Sequence, residues 1–200
     1  MSDARLNSAA ASRNWQPILE VLQDVLPSRG KVLEVGAGTG VHGAYFAPAL
    51  RGIEWMPTDI DPRALASIEA WRAQVRSPNL RPAHALDVRE PRWPVGKVDA
   101  VFAANVLHIT AWECTLALLA GAGRVLKAGG RLVLYGPFGR DGAMAPSNAA
   151  FDQSLRARDP SWGVRHVEDI EREARAHGLS LQRVVEMPAN NLTLVLVKGD

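Results

Sequence analysis

The stretch VLEVGAGTGVHG at residues 32–43 places Gly36, Gly38 and Gly40 directly after an apolar run that contains one acid, Glu34. An apolar run that ends in clustered glycines and then continues in a helical pattern predicts a strand, a tight turn and a helix. Because glycine has no Cβ, the backbone of such a turn can come into contact with a bound molecule. The stretch therefore indicates a ligand-binding turn, and a plain strand-to-helix connection is the alternative.

The residues around these glycines separate three classes of ligand. A phosphate-binding loop of the P-loop type needs a lysine after its last glycine, whereas Gly40 is followed by Val41. A dinucleotide fingerprint needs Gly or Ala at the sixth position from Gly36, where Val41 would crowd the helix against the strand. We expect the carboxylate of Glu34 to face the ligand, where it suits a cation better than a pyrophosphate. An NAD-dependent oxidoreductase is therefore disfavoured but stays open as an alternative.

Apolar β-branched runs alternate with helical patterns along the chain, which predicts an α/β fold with a doubly wound, mostly parallel sheet of seven strands. The turn at residues 188–191 is too short for a parallel crossover, so the last two strands should form an antiparallel hairpin. The predicted helices cover residues 12–26 (capped by Ser12 or Asn14), 41–50, 62–75, 112–127 and 166–177, the last one ended by Gly178. The predicted strands cover residues 31–35, 53–59, 81–86, 98–105, 131–138, 181–187 and 192–198.

Length and composition narrow the possible functions. A chain of 200 residues is expected to form one domain, here residues 1–200 with a leading helical segment at 1–28. The formal net charge of +2 is too small for a nucleic-acid-binding surface. The single Cys114 excludes an internal disulfide, and the histidines share no metal-ligand spacing, so we expect no metal. With no signal-peptide pattern and no run of roughly 20 apolar residues, we expect a cytoplasmic protein without a membrane partner, either a monomer or a homodimer.

The pattern VLEVGAGTG resembles the first motif of the class I S-adenosylmethionine-dependent methyltransferases. Over nearly its whole length the chain is also similar to the methyltransferase-like 26 family, a domain of unknown function in many bacteria. The strings that carry this closer resemblance are SRNWQPILEVL, LEVGAGTGVH, NVLHIT, LYGPF, PSNAAFDQSLRARDPSWGVR and MPANN. The resemblance implies a Rossmann-like methyltransferase fold, S-adenosyl-L-methionine as the cofactor, and methyl transfer to a small-molecule acceptor.

An acid at the end of the second strand, about 20 residues after the glycine turn, can accept hydrogen bonds from both ribose hydroxyls. Asp59 has this position, and Asp61 is the alternative, although it could equally cap the next helix. The resemblance assigns Asp87 to the adenine amino group, with Leu86 or Val88 against the ring. The complete set of cofactor-binding candidates is Arg13, Asn14, Glu34, Gly36, Ala37, Gly38, Gly40, His42, Asp59, Ile60, Asp87, Val88 and Asn105.

The catalytic candidates are His108, three residues after Asn105, and Tyr135 in the strand at 131–138. His108 is suited to act as a general base, and a structural, hydrogen-bonded histidine is the alternative. A loop-rich insert at residues 139–165 is expected to form a substrate lid, although its Arg and Asp residues could instead pair with one another. The substrate-binding candidates are Phe138, Asn148, Asp152, Arg156, Trp162 and Arg165. A catalytically silent, S-adenosylmethionine-binding regulatory protein is the remaining functional alternative.

Overall fold

A mostly parallel β-sheet runs through the protein, seen in a computed structural model that describes residues 4–200. Its strands follow the spatial order β3-β2-β1-β4-β5-β8-β7, and β8 is antiparallel to both β5 and β7. The prediction of a doubly wound sheet with a C-terminal antiparallel hairpin is confirmed. The strands are β1 (Gly30–Val35), β2 (Ile53–Asp59), β3 (His84–Ala85), β4 (Val98–Ala104), β5 (Leu126–Gly139), β6 (Arg165–His166), β7 (Leu179–Met187) and β8 (Asn191–Lys198).

Six α-helices within residues 4–200 cover the sheet. They are α1 (Ala9–Val25), α2 (Val41–Ala49), α3 (Pro62–Val75), α4 (Trp112–Val125), α5 (Pro146–Arg158) and α6 (Val167–Arg175). Single 3₁₀ turns form at Leu107–Ile109 and Pro188–Asn190.

The two faces of the sheet pack into two separate hydrophobic clusters. Along β4 the side chains alternate, so that Val101 joins the cluster with α4 and α6, while Ala100 and Phe102 join the cluster with α1 and α2. Such two-sided burial explains the runs of consecutive apolar residues in the central strands, such as Val101–Ala104 of β4. The candidate site lies at the carboxyl ends of the parallel strands.

The leading helix begins earlier than predicted. Its N-cap is Ser8, whose hydroxyl oxygen accepts a hydrogen bond from the Ala11 backbone N–H at 3.2 Å, so the expected caps at Ser12 and Asn14 are wrong. Asn14 is buried nearly two turns further along the helix. The earlier start adds a helical turn that reaches over the carboxyl ends of the strands.

The predicted loop-rich insert is also wrong in part, because α5 occupies the middle of residues 139–165. Pro146 lies in the first turn of α5, where the backbone N–H that proline lacks would have no partner within the helix. The two-residue β6 then pairs with the end of β5 and adds a strand outside the predicted seven. At the C-terminal end of α6 the cap is Ala176, and Gly178 follows it with a φ of +69° rather than capping the helix itself.

Candidate functional site

A cavity of about 1200 Å³ opens at the carboxyl edge of the parallel strands, where open α/β sheets hold their ligands. The predicted candidates in its wall are Arg13, Asn14, Gly36, Ala37, Gly38, His42, Asp59, Ile60, Asp87, Val88, Asn105, His108, Tyr135 and Asn148. Further wall residues include Ser8, Ala10, Pro17, Arg89, Cys114, Ser147, Phe151 and Asn191. The leading helix, the glycine turn and α5 thus meet around one space.

The glycine turn is shaped for close contact with something in this cavity. Gly36 and Gly38 have φ angles of +66° and +55°, which other residues rarely adopt. A Cβ on Gly36 would lie 2.6 Å from a methyl group of Val106, whereas a Cβ on Gly38 would meet nothing within 4 Å. The Gly38 position therefore presents bare backbone to the cavity, as a flat or extended ligand needs.

Gly40 has a different role from the one predicted. It is not part of the cavity wall, and a Cβ there would lie 2.8 Å from the Cα of Ile68 in α3. The absence of a side chain lets α3 approach the start of α2. The expectation that Gly40 contacts the cofactor is corrected on this ground.

The two acids near the end of β2, Asp59 and Asp61, have different roles. Asp59 lies in the cavity wall, and its two carboxylate oxygens accept hydrogen bonds from the Gly38 and Asp61 backbone N–H groups at 2.8 and 2.9 Å. Asp61 instead caps α3 by accepting from the Arg63 N–H at 2.8 Å. Of the pair, only Asp59 is placed to meet a ligand.

Glu34 does not face the cavity, so the expectation for its carboxylate is wrong. The side chain points from β1 into the cluster on the α1 and α2 side, and the residue is 1% exposed. Trp55 Nε1 donates to Glu34 Oε2 at 2.6 Å, and His42 Nδ1 lies 3.8 Å from Glu34 Oε1. Burial raises the pKa of Glu34 to about 8, because the charged form loses its hydration.

A chain of polar side chains connects Glu34 to the cavity. His42 Nε2 lies 2.9 Å from Asn14 Oδ1, and Asn14 also hydrogen bonds to the hydroxyl of Tyr135. Burial lowers the pKa of His42 to about 4 and raises that of Tyr135, so both are neutral at pH 7. Since an amide oxygen only accepts, His42 Nε2 carries the proton and Nδ1 presents a lone pair toward Glu34.

Asp87 and Val88 line the end of the cavity next to β3, together with Ile60. The Asp87 carboxylate is held by the Arg89 guanidinium at 2.6–3.1 Å, and this hydrogen bonding lowers its pKa. Arg89 itself lines the cavity and was not predicted, because nothing in the pattern around it distinguishes it from a solvated arginine. Its pairing with Asp87 fixes the carboxylate in place.

His108 also lies in the cavity wall and is buried. Burial, followed by the charge of Arg165, lowers the pKa of His108 to about 4. Its ring meets Phe151 of α5 edge-on, with the centroids 5.4 Å apart. Asn105 adopts a φ of +59°, and its backbone N–H donates a hydrogen bond to the Tyr135 carbonyl oxygen at 2.8 Å. The two catalytic candidates, His108 and Tyr135, both line the cavity.

Five of the six predicted substrate-binding residues lie outside the wall of the main cavity: Phe138, Asp152, Arg156, Trp162 and Arg165. Arg156 pairs with Asp152 at 2.8 Å, and Asp152 also accepts from the Val164 N–H. The Arg158 guanidinium lies over the ring of Trp162. These contacts hold α5 and the following turn together, so the internal network is what the structure shows for Asp152, Arg156 and Trp162.

Arg165 serves the neighbouring turn rather than the cavity. It donates to the carbonyl oxygens of Leu107, Thr110 and Ser161 at 3.1, 2.7 and 3.0 Å. The first two flank His108, so Arg165 fixes the 3₁₀ turn that carries this histidine. Its expected contact with a substrate is corrected accordingly.

Phe138 is buried and borders a second, smaller cavity of about 300 Å³ instead of the main one. Asn148 borders both cavities and donates from Nδ2 to the Asn190 carbonyl oxygen at 2.8 Å. The residues of α5 that reach the main cavity are Ser147, Asn148 and Phe151. Their helical spacing could have identified Phe151, had the sequence indicated a helix here.

Metal-ligand clusters and membrane-spanning helices are both absent from the described residues. No cluster of three or more His, Cys, Asp or Glu residues within positions 4–200 has the arrangement of a metal site. Among the helices of the same residues, none combines the length and the apolar character needed to cross a bilayer.

The strand order, the terminal hairpin and a glycine turn at the carboxyl edge define a Rossmann-like fold of the class I methyltransferase type. A protein family described as "Protein of unknown function (DUF938)" matches residues 5–198, and the chain belongs to this family.

Three solved structures illustrate the similarity of fold. The S-adenosylmethionine-dependent methyltransferase SibL, in its apo form, has a TM-score of 0.80 and 23% identity over 96% of this chain and 56% of its own. CalO1, a methyltransferase in calicheamicin biosynthesis in its S-adenosylhomocysteine-bound form, has a TM-score of 0.72 and 20% identity, over 95% of this chain and 54% of its own. An O-methyltransferase family 2 protein from Planctomyces limnophilus, in complex with apigenin, has a TM-score of 0.75 and 19% identity, over 97% of this chain and 63% of its own. The chain thus matches between 54% and 63% of the length of these three proteins.

Proposed function

We propose that the protein binds S-adenosyl-L-methionine in the main cavity and transfers its methyl group to a small-molecule acceptor. The observation that carries the proposal is the bare backbone at Gly38, which faces the cavity and is braced by Asp59. Ribose hydroxyls can donate to Asp59, in an adenosyl group and in a dinucleotide alike. The branched side chain of Val41, at the position where a dinucleotide fingerprint has glycine or alanine, favours the adenosyl group.

Each end of the cavity has a separate task in this proposal. Asp59 accepts from the ribose, Asp87 with Val88 binds the adenine, and Arg13 binds the carboxylate of the methionine part. The bound cofactor supplies a methyl group that its sulfonium has already activated. The protein then has to align the acceptor and exclude water, which α1 and α5 accomplish by covering the strand ends.

His108 and Tyr135 face the remaining space, with Phe151 and Asn148 beside them. Because the pKa of His108 is about 4, the imidazole is neutral at pH 7 and can accept a proton from a hydroxyl or ammonium group of the acceptor. Tyr135, held by Asn14, orients the acceptor. A volume of about 1200 Å³ exceeds the roughly 300–1,000 Å³ of common ligand sites and leaves room for two molecules.

A small acceptor is favoured over a macromolecule. The net charge of +2 provides no basic surface for nucleic acid. We further propose that the protein is a cytoplasmic monomer or homodimer without a membrane partner. CalO1 is a methyltransferase of calicheamicin biosynthesis, and the Planctomyces limnophilus protein was solved with apigenin, which supports a small-molecule acceptor in this proposal. The closer likeness to methyltransferase-like 26 proteins belongs to the same proposal.

Ligand binding tests the proposal directly. S-adenosylmethionine and S-adenosylhomocysteine at 100 times their dissociation constants should each stabilise the protein by about 2.7 kcal/mol, which is roughly 5–10 °C in melting temperature. NAD should produce no shift. Stabilisation by NAD alone would overturn the proposal in favour of an oxidoreductase.

Turnover distinguishes an enzyme from a silent binding protein. Methyl-labelled S-adenosylmethionine should label a small-molecule fraction of a metabolite extract and yield S-adenosylhomocysteine. Binding of both ligands without labelling in any fraction would favour the regulatory alternative.

A further inference from the structure

Glu34 is a buried carboxylate without a cationic partner. Its only hydrogen-bond donor within the described residues is the uncharged indole of Trp55, and no lysine or arginine of residues 4–200 forms an ion pair with it. On the neighbouring strand β4 it is paired with Phe102, which adds only apolar surface. A carboxylate in such surroundings is stable as the neutral acid until a positive charge comes near.

The titratable groups around Glu34 provide no such charge. His42 on α2 is neutral, and Asp59 on β2 is a second acid that raises the pKa of Glu34 further. Tyr135 on β5, reached through Asn14 of α1, is a neutral phenol. Of the two arginines in the cavity wall, Arg13 acts on Tyr135 and Arg89 acts on Asp87, and neither shifts the pKa of Glu34.

His42 connects this carboxyl group to the cavity. It is part of the cavity wall, and its Nδ1 lies 3.8 Å from Glu34 Oε1. Glu34 is therefore one imidazole ring away from whatever fills the cavity. At this depth a charge in the cavity acts through protein rather than through bulk water, so its effect on Glu34 is weakly screened.

We propose that Glu34 releases its proton when a cationic sulfonium occupies the cavity and takes a proton back when the neutral thioether product replaces it. The inference rests on the proposed function. In the first step the O–H bond of the Glu34 carboxyl group breaks and the proton goes to the solvent; in the second step the carboxylate takes one proton from the solvent. No electron transfer and no further reactant are involved.

The consequence is a pH-dependent preference for the cofactor over its product. S-adenosylmethionine and S-adenosylhomocysteine differ at sulfur by one positive charge, so only the former gains from an ionised Glu34. By linkage, a ligand that releases a proton binds more tightly as the pH rises, by at most tenfold per pH unit for one proton. The gain ends where Glu34 is ionised in the free protein.

Calorimetry in two buffers of different ionisation enthalpy counts the protons directly. At pH 7 we expect the wild-type protein to release between about 0.5 and 1 proton more on binding S-adenosylmethionine than on binding S-adenosylhomocysteine. Between pH 6.5 and 8 the ratio of the two dissociation constants should shift at least threefold toward the cofactor. Equal proton counts for the two ligands would overturn the inference.

Glu34→Gln is the variant that assigns the effect. Glutamine keeps the size and can still accept from Trp55, and the difference between the ligands should fall to what their own α-amino groups contribute. Asp61→Asn is the matched control, because it also replaces a carboxylate by an amide but at an exposed helix cap. A wild-type difference that persists in Glu34→Gln would assign the proton elsewhere and overturn the inference.

The two proposals fail in different ways. If the cofactor and product bind with equal proton counts, methyl transfer stands and only the role of Glu34 is lost. If neither ligand binds, the proposed function is overturned and this inference with it.

Discussion

The backbone N–H of Gly38 donates a 2.8 Å hydrogen bond to Asp59 Oδ2, across 21 positions of the sequence. This contact ties the glycine turn after β1 to the end of β2, while the second carboxylate oxygen is held by the Asp61 N–H. The turn and the acid are thus fixed relative to each other before a ligand arrives. Preorganisation of this kind lowers the entropy cost of binding.

The first prediction concerns that acid. Asp59→Ala should weaken S-adenosylmethionine binding by at least 100-fold, because two hydrogen bonds to a charged group are each worth about 1.5–3 kcal/mol. Isothermal titration calorimetry measures the loss. Asp61→Asn keeps the oxygen that caps α3 and should bind as the wild type does. Equal affinity in Asp59→Ala and wild type would remove Asp59 from the cofactor site.

The second prediction separates two glycines of one turn. Gly38→Ala places a methyl group in the cavity and should reduce cofactor affinity at least tenfold, with a stability cost of about 1–2 kcal/mol for the positive φ. Gly40→Ala has the same kind of φ cost and in addition drives a Cβ into the backbone of Ile68. Gly40→Ala should therefore lower the melting temperature more than Gly38→Ala. Thermal unfolding measures the difference in melting temperature between the two variants, and titration calorimetry measures the difference in cofactor affinity. A larger loss of affinity in a folded Gly40→Ala protein than in Gly38→Ala would contradict the prediction.

Local patterns determined much of this fold from the sequence. The helix at Pro62–Val75 and the strand at Ile53–Asp59 have the predicted bounds, because their turn residues and periodicity are strong. The mostly parallel sheet followed from the alternation of strand and helix patterns, and the antiparallel hairpin followed from the short final turn. These features depend on neighbours in sequence, so they can be found without knowledge of packing.

The errors arise where packing decides the outcome. Glu34 stands in β1, and a strand position does not say which buried face or which partner a carboxylate will have; here Trp55 from β2 provides it. Arg165 belongs to a segment rich in charges, and its three carbonyl partners come from a turn more than 50 positions away and from Ser161. Contacts between distant segments have no local signature. Most of the predicted cofactor-binding residues therefore share one cavity, while the direction of several side chains differs from the prediction.

The third prediction follows from the buried carboxyl group. The pKa of Glu34 is about 8 in the folded protein against 4.5 as the model-compound value, so between these values the folded state holds a proton that the unfolded state has lost. The free energy of unfolding therefore falls as the pH rises through this window. His42 and His108, whose pKa values of about 4 lie below 6.5, act in the opposite direction between pH 4 and 6.5. Above pH 6.5 the effect of Glu34 is no longer offset by these two histidines.

Urea unfolding at pH 6.5 and 8 tests this sign. In the wild type this group should lower the free energy of unfolding by about 2 kcal/mol over the interval, since one proton corresponds to about 1.4 kcal/mol per pH unit. Glu34→Gln should lose that slope, and Asp61→Asn should keep it. A Glu34→Gln protein with the wild-type slope would show that Glu34 is already ionised in the folded state.

The last prediction concerns His108 as the general base of the proposed reaction. His108→Ala should reduce turnover by about 10²–10⁴-fold and leave the dissociation constant of S-adenosylmethionine within twofold of the wild type, because the proposed reaction uses the imidazole on the acceptor and not on the cofactor. His84→Ala, an exposed histidine outside the cavity wall, is the matched control. Since the pKa of His108 is about 4, the acidic limb of the wild-type rate profile should fall near pH 4 rather than near 6.5. Normal turnover in His108→Ala would show that His108 is a structural residue, which packs against Phe151 in a turn held by Arg165.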